Sequence, residues 1–172
     1  MHNKVVYQVA KTLDGLGLPV LRFNFRGAGL SEGKHDRGQG ERGDVKAAID
    51  FLASEFAGIP VLLAGFSFGC WVGLRVGCTD KRVSELIALG TPVNSSDFSY
   101  LHQCAKPKLF VHGGNDEHGD VRMLQALVAS LPGEKQLEIV PHADHFFAGK
   151  LDQVDRTIRS WLMHRHPEIR EK

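Results

Sequence analysis

Four short stretches of the chain are largely apolar and carry no helical period: PVLLAGF (60–66), VSELIALGTP (83–92), PKLFVHG (107–113) and QLEIVP (136–141). Runs of this length are the pattern of strands buried on both faces, as strands of a parallel sheet are. PVLRFNF (19–25) is a fifth run of β type. Between these runs the apolar positions change period. Val5, Val6, Val9, Leu13 and Leu16 recur at helical spacing, as do Val45, Ala48, Ile49, Leu52 and Phe56. Leu124, Leu127, Val128 and Leu131 form a third stripe, and Val154, Ile158, Trp161 and Leu162 a fourth. CWVGLRVGC (70–78) reads as helix despite its glycines. Asp44 and Asp120 stand where N-caps would start the second and third stripes.

Strands alternating with helices of this size predict an α/β fold, a mostly parallel sheet flanked by helices on both faces. The 172 residues suit one domain, 1–172, with a sizeable core. In such sheets chemistry collects just past the carboxyl ends of the strands. The residues following 66, 92, 113 and 141 are therefore the ones to read for function.

Composition narrows the classes. Hydrophobic residues make up 42% and charged residues 24%, and 21 basic side chains nearly balance 20 acidic ones. That profile argues against a nucleic-acid footprint or a membrane-surface patch. Cys70, Cys78 and Cys104 are odd in number and lack CxxC spacing, so they read as reduced thiols in a cytoplasmic protein. The N-terminus, MHNKVVYQVAK, is too polar for a signal peptide, and no run has the length of a membrane span.

GFSFG (65–69) has the form G-x-S-x-G and lies between a predicted strand and a predicted helix. In that context the serine stands on a sharp turn as a nucleophile, with small neighbours letting strand and helix approach. The Phe68 N–H at the helix start would be one oxyanion donor, a contact worth about 3–4 kcal/mol of barrier. The plainer alternative is a strand-to-helix turn in which Ser67 only caps the helix.

A serine needs a base to take its proton, and the base needs an orienting carboxylate. In this kind of sheet the order along the chain is Ser, then Asp or Glu, then His. FVHGGNDEHGD places Asp116 just past one buried strand, and IVPHADHFF places His145 just past the next. Glu117 and Asp120 are rival acids and His142 is a rival base. His112 reads as a packing residue and Asp144 as a loop-ordering one. His2, His35, His102, His118, His164 and His166 read as surface. Phe66, Phe146 and Phe147 lie close enough in sequence to flank a substrate.

Two other classes fit less well. His142-Ala143-Asp144-His145 resembles the end of an HxHxDH metal cluster, but Val140 stands where its first histidine belongs. GLG (15–17) follows a helix, and GAGLSEG (27–33) has the wrong spacing for a dinucleotide loop. No metal and no cofactor is expected.

Taken together, RFNFRGAGLSEG (22–33), LLAGFSFG (62–69), FVHGGNDE (110–117) and PHADHFFAGKL (141–151) resemble the α/β-hydrolase superfamily. More narrowly, the chain is similar to small, lid-less bacterial hydrolases of mostly unassigned substrate. The resemblance implies Ser67 as nucleophile, Asp116 as acid and His145 as base, acting on a small ester or thioester. A hydrolase fold kept without catalysis is the alternative. The family also carries, ahead of its first helix, a central strand and a loop that gives the second oxyanion donor. By resemblance that strand sits between PVLRFNF and PVLLAGF. The expectation is a chain N-terminally truncated relative to the family, with a misassigned start that makes Met1 an internal residue favoured over two alternatives, a degenerate fragment and direct pairing of the two strands with another oxyanion donor.

Overall fold

The computed structural model describes residues 3–169; His2 lies outside them. The elements, in order, are α1 (Lys4–Gly15), α2 (Gln39–Glu55), β1 (Val61–Phe66), α3 (Phe68–Thr79) and β2 (Val83–Leu89). A 3₁₀ turn (Ser99–Gln103), β3 (Lys108–Gly113), α4 (Val121–Ser130), β4 (Lys135–Val140) and α5 (Leu151–Arg165) follow. All strand pairs are parallel, in the order β1-β2-β3-β4. Among the described residues no helix is long and apolar enough to cross a membrane.

Sequential strand order explains the layering. Crossovers of one hand that always step in the same direction must lie on the same face of the sheet. α3, the 3₁₀ turn and α4 make those three crossovers. They share one core with α2, built from Ile49, Leu74, Leu101, Leu124 and the sheet's Leu86 and Phe110. The opposite face is covered by α1 and α5, whose Val5, Val9, Val154 and Ile158 pack on Ile87, Leu109 and Val111. The first and last helices also join through Thr12, whose hydroxyl donates to Asp155 at 2.6 Å. The expected helices on both faces are present.

Helix starts follow side-chain chemistry. Asn3 accepts from the N–H groups of Val5 and Val6, and Asp120 accepts from Met123, as a cap should. Asp44 does not cap α2. That helix begins five residues earlier, after Gly38 at φ 89°, a conformation cheap only for glycine. The buried Glu41 carboxylate accepts from the N–H groups of Asp36 and Gly38, both at 2.8 Å, and so satisfies the entry turn. Asp44, inside the helix, instead pairs with Arg26 and accepts its backbone N–H. It ties the 26–33 loop to α2.

The predicted strand at 19–25 is not one. This segment makes no ladder, and none of its N–H groups donates to another described group. A strand exists only by pairing, and among the described residues no strand pairs with it. An apolar cavity of about 700 Å³ separates the segment from β1, bounded by Leu21, Phe23, Leu62 and Ala64.

Candidate active site

β1 delivers Ser67 at its carboxyl end, and α3 begins at the next residue. Ser67 has φ 53° and ψ −121°, a strained pairing for a residue with a Cβ. Its N–H donates to the Leu89 carbonyl at 2.9 Å and its carbonyl accepts from Trp71, so both sides of the turn are fixed. Gly65 makes the turn feasible. A Cβ there would stand 2.5 Å from the Gly69 carbonyl oxygen and 2.7 Å from Cys70 Cα. The serine hydroxyl is thus held out from the backbone at the mouth of the cavity.

β3 and β4 bring the partners. Asp116 follows β3 and His145 follows β4; both are buried. His145 Nε2 lies 2.8 Å from Ser67 Oγ, and His145 Nδ1 lies 2.8 Å from Asp116 Oδ2. A carboxylate can only accept, so Nδ1 carries the ring proton. Nε2 is then left to accept from the serine hydroxyl. The other Asp116 oxygen accepts the His118 N–H at 2.8 Å. Burial works to raise the Asp116 pKa, but these two hydrogen bonds and the nearby imidazoles outweigh it. The carboxyl is held below its usual range.

The Phe68 N–H heads α3, beside the serine, and donates to no described group. It is free for an anion forming at the serine, with the helix dipole behind it. The neighbouring thiol is no competitor. Burial pushes Cys70 up to about 12, while its contact with the Thr91 hydroxyl pulls weakly the other way. A thiol so placed stays protonated and unreactive.

The three phenylalanines divide. Phe66 packs 4.8 Å from the His145 ring, and Phe146 stands edge-on to it at 5.2 Å and is half exposed. Both line the cavity. Phe147 does not. At φ 54° the loop turns its ring away from the site, and it is fully buried among α1, α5 and the sheet. Its role is in the core.

The rival residues find other work. Glu117 is exposed and Asp120 caps α4. His142 is exposed at φ 58°, and Asp144 accepts the Ala148 N–H, ordering the loop. His112 is fully buried, with Nε2 donating to the Gly119 carbonyl at 2.8 Å. His118 is exposed, as expected, yet it also reaches the site. Its ring lies 4.4 Å from that of His145 and lines the cavity. The one signal for it in the sequence was its place two residues after the acid. Among the described residues no three or more of His, Cys, Asp and Glu come together as a group that could hold a metal ion.

A family model described as an alpha/beta hydrolase domain matches residues 1–170. An uncharacterized protein of Rickettsia prowazekii is 35% identical, over 99% of this chain and 78% of its own length. An alpha-beta serine hydrolase homologue from Coxiella burnetii is 38% identical, with a TM-score of 0.86 over 92% of this chain and 76% of that one. A serine hydrolase without lid from Xanthomonas campestris is 34% identical, with a TM-score of 0.88 over 95% and 74% of the respective chains.

Proposed function

The chain belongs to the alpha/beta hydrolase family, and from that premise we propose that it is a serine hydrolase cleaving small esters or thioesters through an acyl-enzyme. The observation that carries this reading is the relay of two 2.8 Å hydrogen bonds joining Ser67, His145 and Asp116. Ser67 Oγ attacks the substrate carbonyl as His145 Nε2 takes its proton. The imidazolium so formed is steadied by the Asp116 carboxylate, which stays ionised. His145 then protonates the leaving group. A water, deprotonated by the same nitrogen, releases the acid and restores Ser67. The Phe68 N–H serves the oxyanion. Phe66 and Phe146 beside the imidazole favour acyl groups with apolar surface.

Intact-mass analysis after treatment with a fluorophosphonate probe tests this directly. The expected result is one adduct on the 172-residue chain and none on Ser67→Ala. A folded parent chain that takes no adduct would overturn the reading in favour of a hydrolase fold without catalysis. Activity in an ester panel should fall as the acyl chain becomes more polar; a preference for charged acyl groups would refute the apolar pocket.

A further inference from the structure

The three cysteines are not alike. Cys70 is fully buried, and its thiol contacts the Thr91 hydroxyl. Cys78 and Cys104 instead meet each other, although all of β2 lies between them in the chain. Cys78 stands half-buried in the last turn of α3, and Cys104 is the buried residue that closes the 3₁₀ turn. Their thiols are hydrogen-bond partners. The proposed reaction at Ser67 uses neither.

Two lysines hold this pair together and bring positive charge to it. Lys106 reaches back to the end of α3, where its Nζ donates to the carbonyls of Asp80 and, at 2.6 Å, Gly77. That clamps segment 104–106 against the turn that carries Cys78. Lys108 is only 1% exposed, and its Nζ donates to the Cys104 carbonyl at 2.7 Å and the Pro132 carbonyl at 3.0 Å. Among the described residues no carboxylate pairs with it, and the two thiols are the acidic groups that act on it. A buried ammonium is costly without an anion nearby. Cys104 is the sulfur placed to supply one. It accepts from the Cys78 thiol and from the Lys106 N–H, and with the two ammonium groups these outweigh its burial and hold its pKa at about 6. Cys78, donating to it and partly desolvated, is pushed well above the ordinary thiol range.

We infer that Cys78 and Cys104 form a redox-active thiol pair, which a peroxide oxidises reversibly to a disulfide. The Cys104 thiolate attacks one oxygen of the peroxide and expels hydroxide, leaving a sulfenic acid. Cys78 then attacks that sulfur. Its proton leaves with the sulfenic oxygen as water, and the S–S bond closes. The two sulfurs give up two electrons, and the broken O–O bond takes them. Hydrogen peroxide is scarcely larger than water and reaches the pair past half-buried Cys78. Sulfurs already in contact need only side-chain rotation to reach the roughly 2.05 Å of an S–S bond. Cys70 has no second thiol beside it, and burial pushes its thiol up to about 12, so it stays out of the reaction. The whole of α3, about 16 Å of helix, separates this pair from Ser67. The inference is independent of the proposed activity.

The test treats the folded 172-residue chain and its Ser67→Ala variant with stoichiometric hydrogen peroxide. The intact mass of both should fall by two hydrogen atoms, and digestion should return one pair of peptides joined through Cys78 and Cys104. Dithiothreitol should restore the starting mass. Cys70→Ala should behave as the parent, whereas Cys78→Ser and Cys104→Ser should form no bridge. The linkage is mapped in the parent itself, so the result does not hang on any variant folding. Four results would overturn the inference: the mass does not fall; the bridge runs through Cys70 or between two chains; the cysteines gain oxygen atoms in place of a bond; or dithiothreitol does not reverse the change. None of these touches the fluorophosphonate result, so the two readings fail separately.

Discussion

Replacing Asp116 by asparagine keeps the volume of the side chain, removes its charge and reverses the direction of a proton. Asp116 Oδ1 accepts the His118 N–H at 2.8 Å. In Asp116→Asn the amide oxygen keeps that bond, because turning the NH₂ toward the His118 N–H would set two donors against each other, at about 1–3 kcal/mol. The amide NH₂ then faces His145 Nδ1, which must accept. The ring proton moves to Nε2, pointing at Ser67, and the imidazole can no longer take the serine proton. A wrong tautomer in such a relay lowers the rate by about 10⁴, which is about 5.5 kcal/mol of barrier. Loss of the charge-assisted bond should cost about 1–3 kcal/mol of stability, so the variant remains folded. The assays are the pseudo-first-order rate of fluorophosphonate labelling and p-nitrophenyl acetate hydrolysis, with the melting temperature as control. A folded variant within tenfold of the parent, when Ser67→Ala is inactive, would refute the role assigned to Asp116.

Three further outcomes are expected. Gly65→Ala drives a Cβ into the Gly69 carbonyl and Cys70 Cα; denaturant unfolding should show a loss of at least about 1–3 kcal/mol, and no loss would mean the elbow can relax. Phe147→Ala should cost about 3–5 kcal/mol in the same assay, whereas Phe146→Ala should leave stability near the parent value and alter acyl-chain preference; equal effects would undo the distinction between them. Several carboxyls are depressed: Asp80 to about 2, by its hydrogen bonds from Arg82; Asp116, against burial, by His145 and the His118 N–H; and Glu41, against burial, by the N–H groups of Asp36 and Gly38. Groups of this sign stabilise the fold above the ordinary carboxylate pKa of about 4 and cease to as pH falls through their folded values. The melting temperature should hold from pH 7 to about 5 and drop below about 4. A rise on acidification would contradict the signs.

Much of the site was legible because two simple constraints overlap in it. A strand buried on both faces must be apolar along its length, which made 60–66, 83–92, 107–113 and 136–141 visible. Polar residues placed directly after such runs stand out, which exposed Ser67, Asp116 and His145. What could not be read depends on neighbours. Segment 19–25 has the residues of a strand, but strand formation is a property of a pair, and its position beside a cavity leaves it unpaired. The start of α2 escaped because a carboxylate at position 41, reaching back to Gly38 and Asp36, did the work expected of Asp44. Phe146 and Phe147 are identical letters. Only the left-handed turn at 147 sends one ring to the cavity and the other to the core.

The order β1-β2-β3-β4 has a consequence for the history of each molecule. Strands are synthesised in the order in which they stand, so each can join the one made just before it, and the sheet can grow by accretion as the chain leaves the ribosome. Ser67 comes early in that growth. The base proposed for it, His145, comes after β4, and α5, which covers the face beneath, comes later still. A nascent chain cut short before residue 145 would display the elbow with nothing to deprotonate it. On the proposed function, nucleophilicity is therefore withheld until β4 and the loop that follows it have been made, by topology alone.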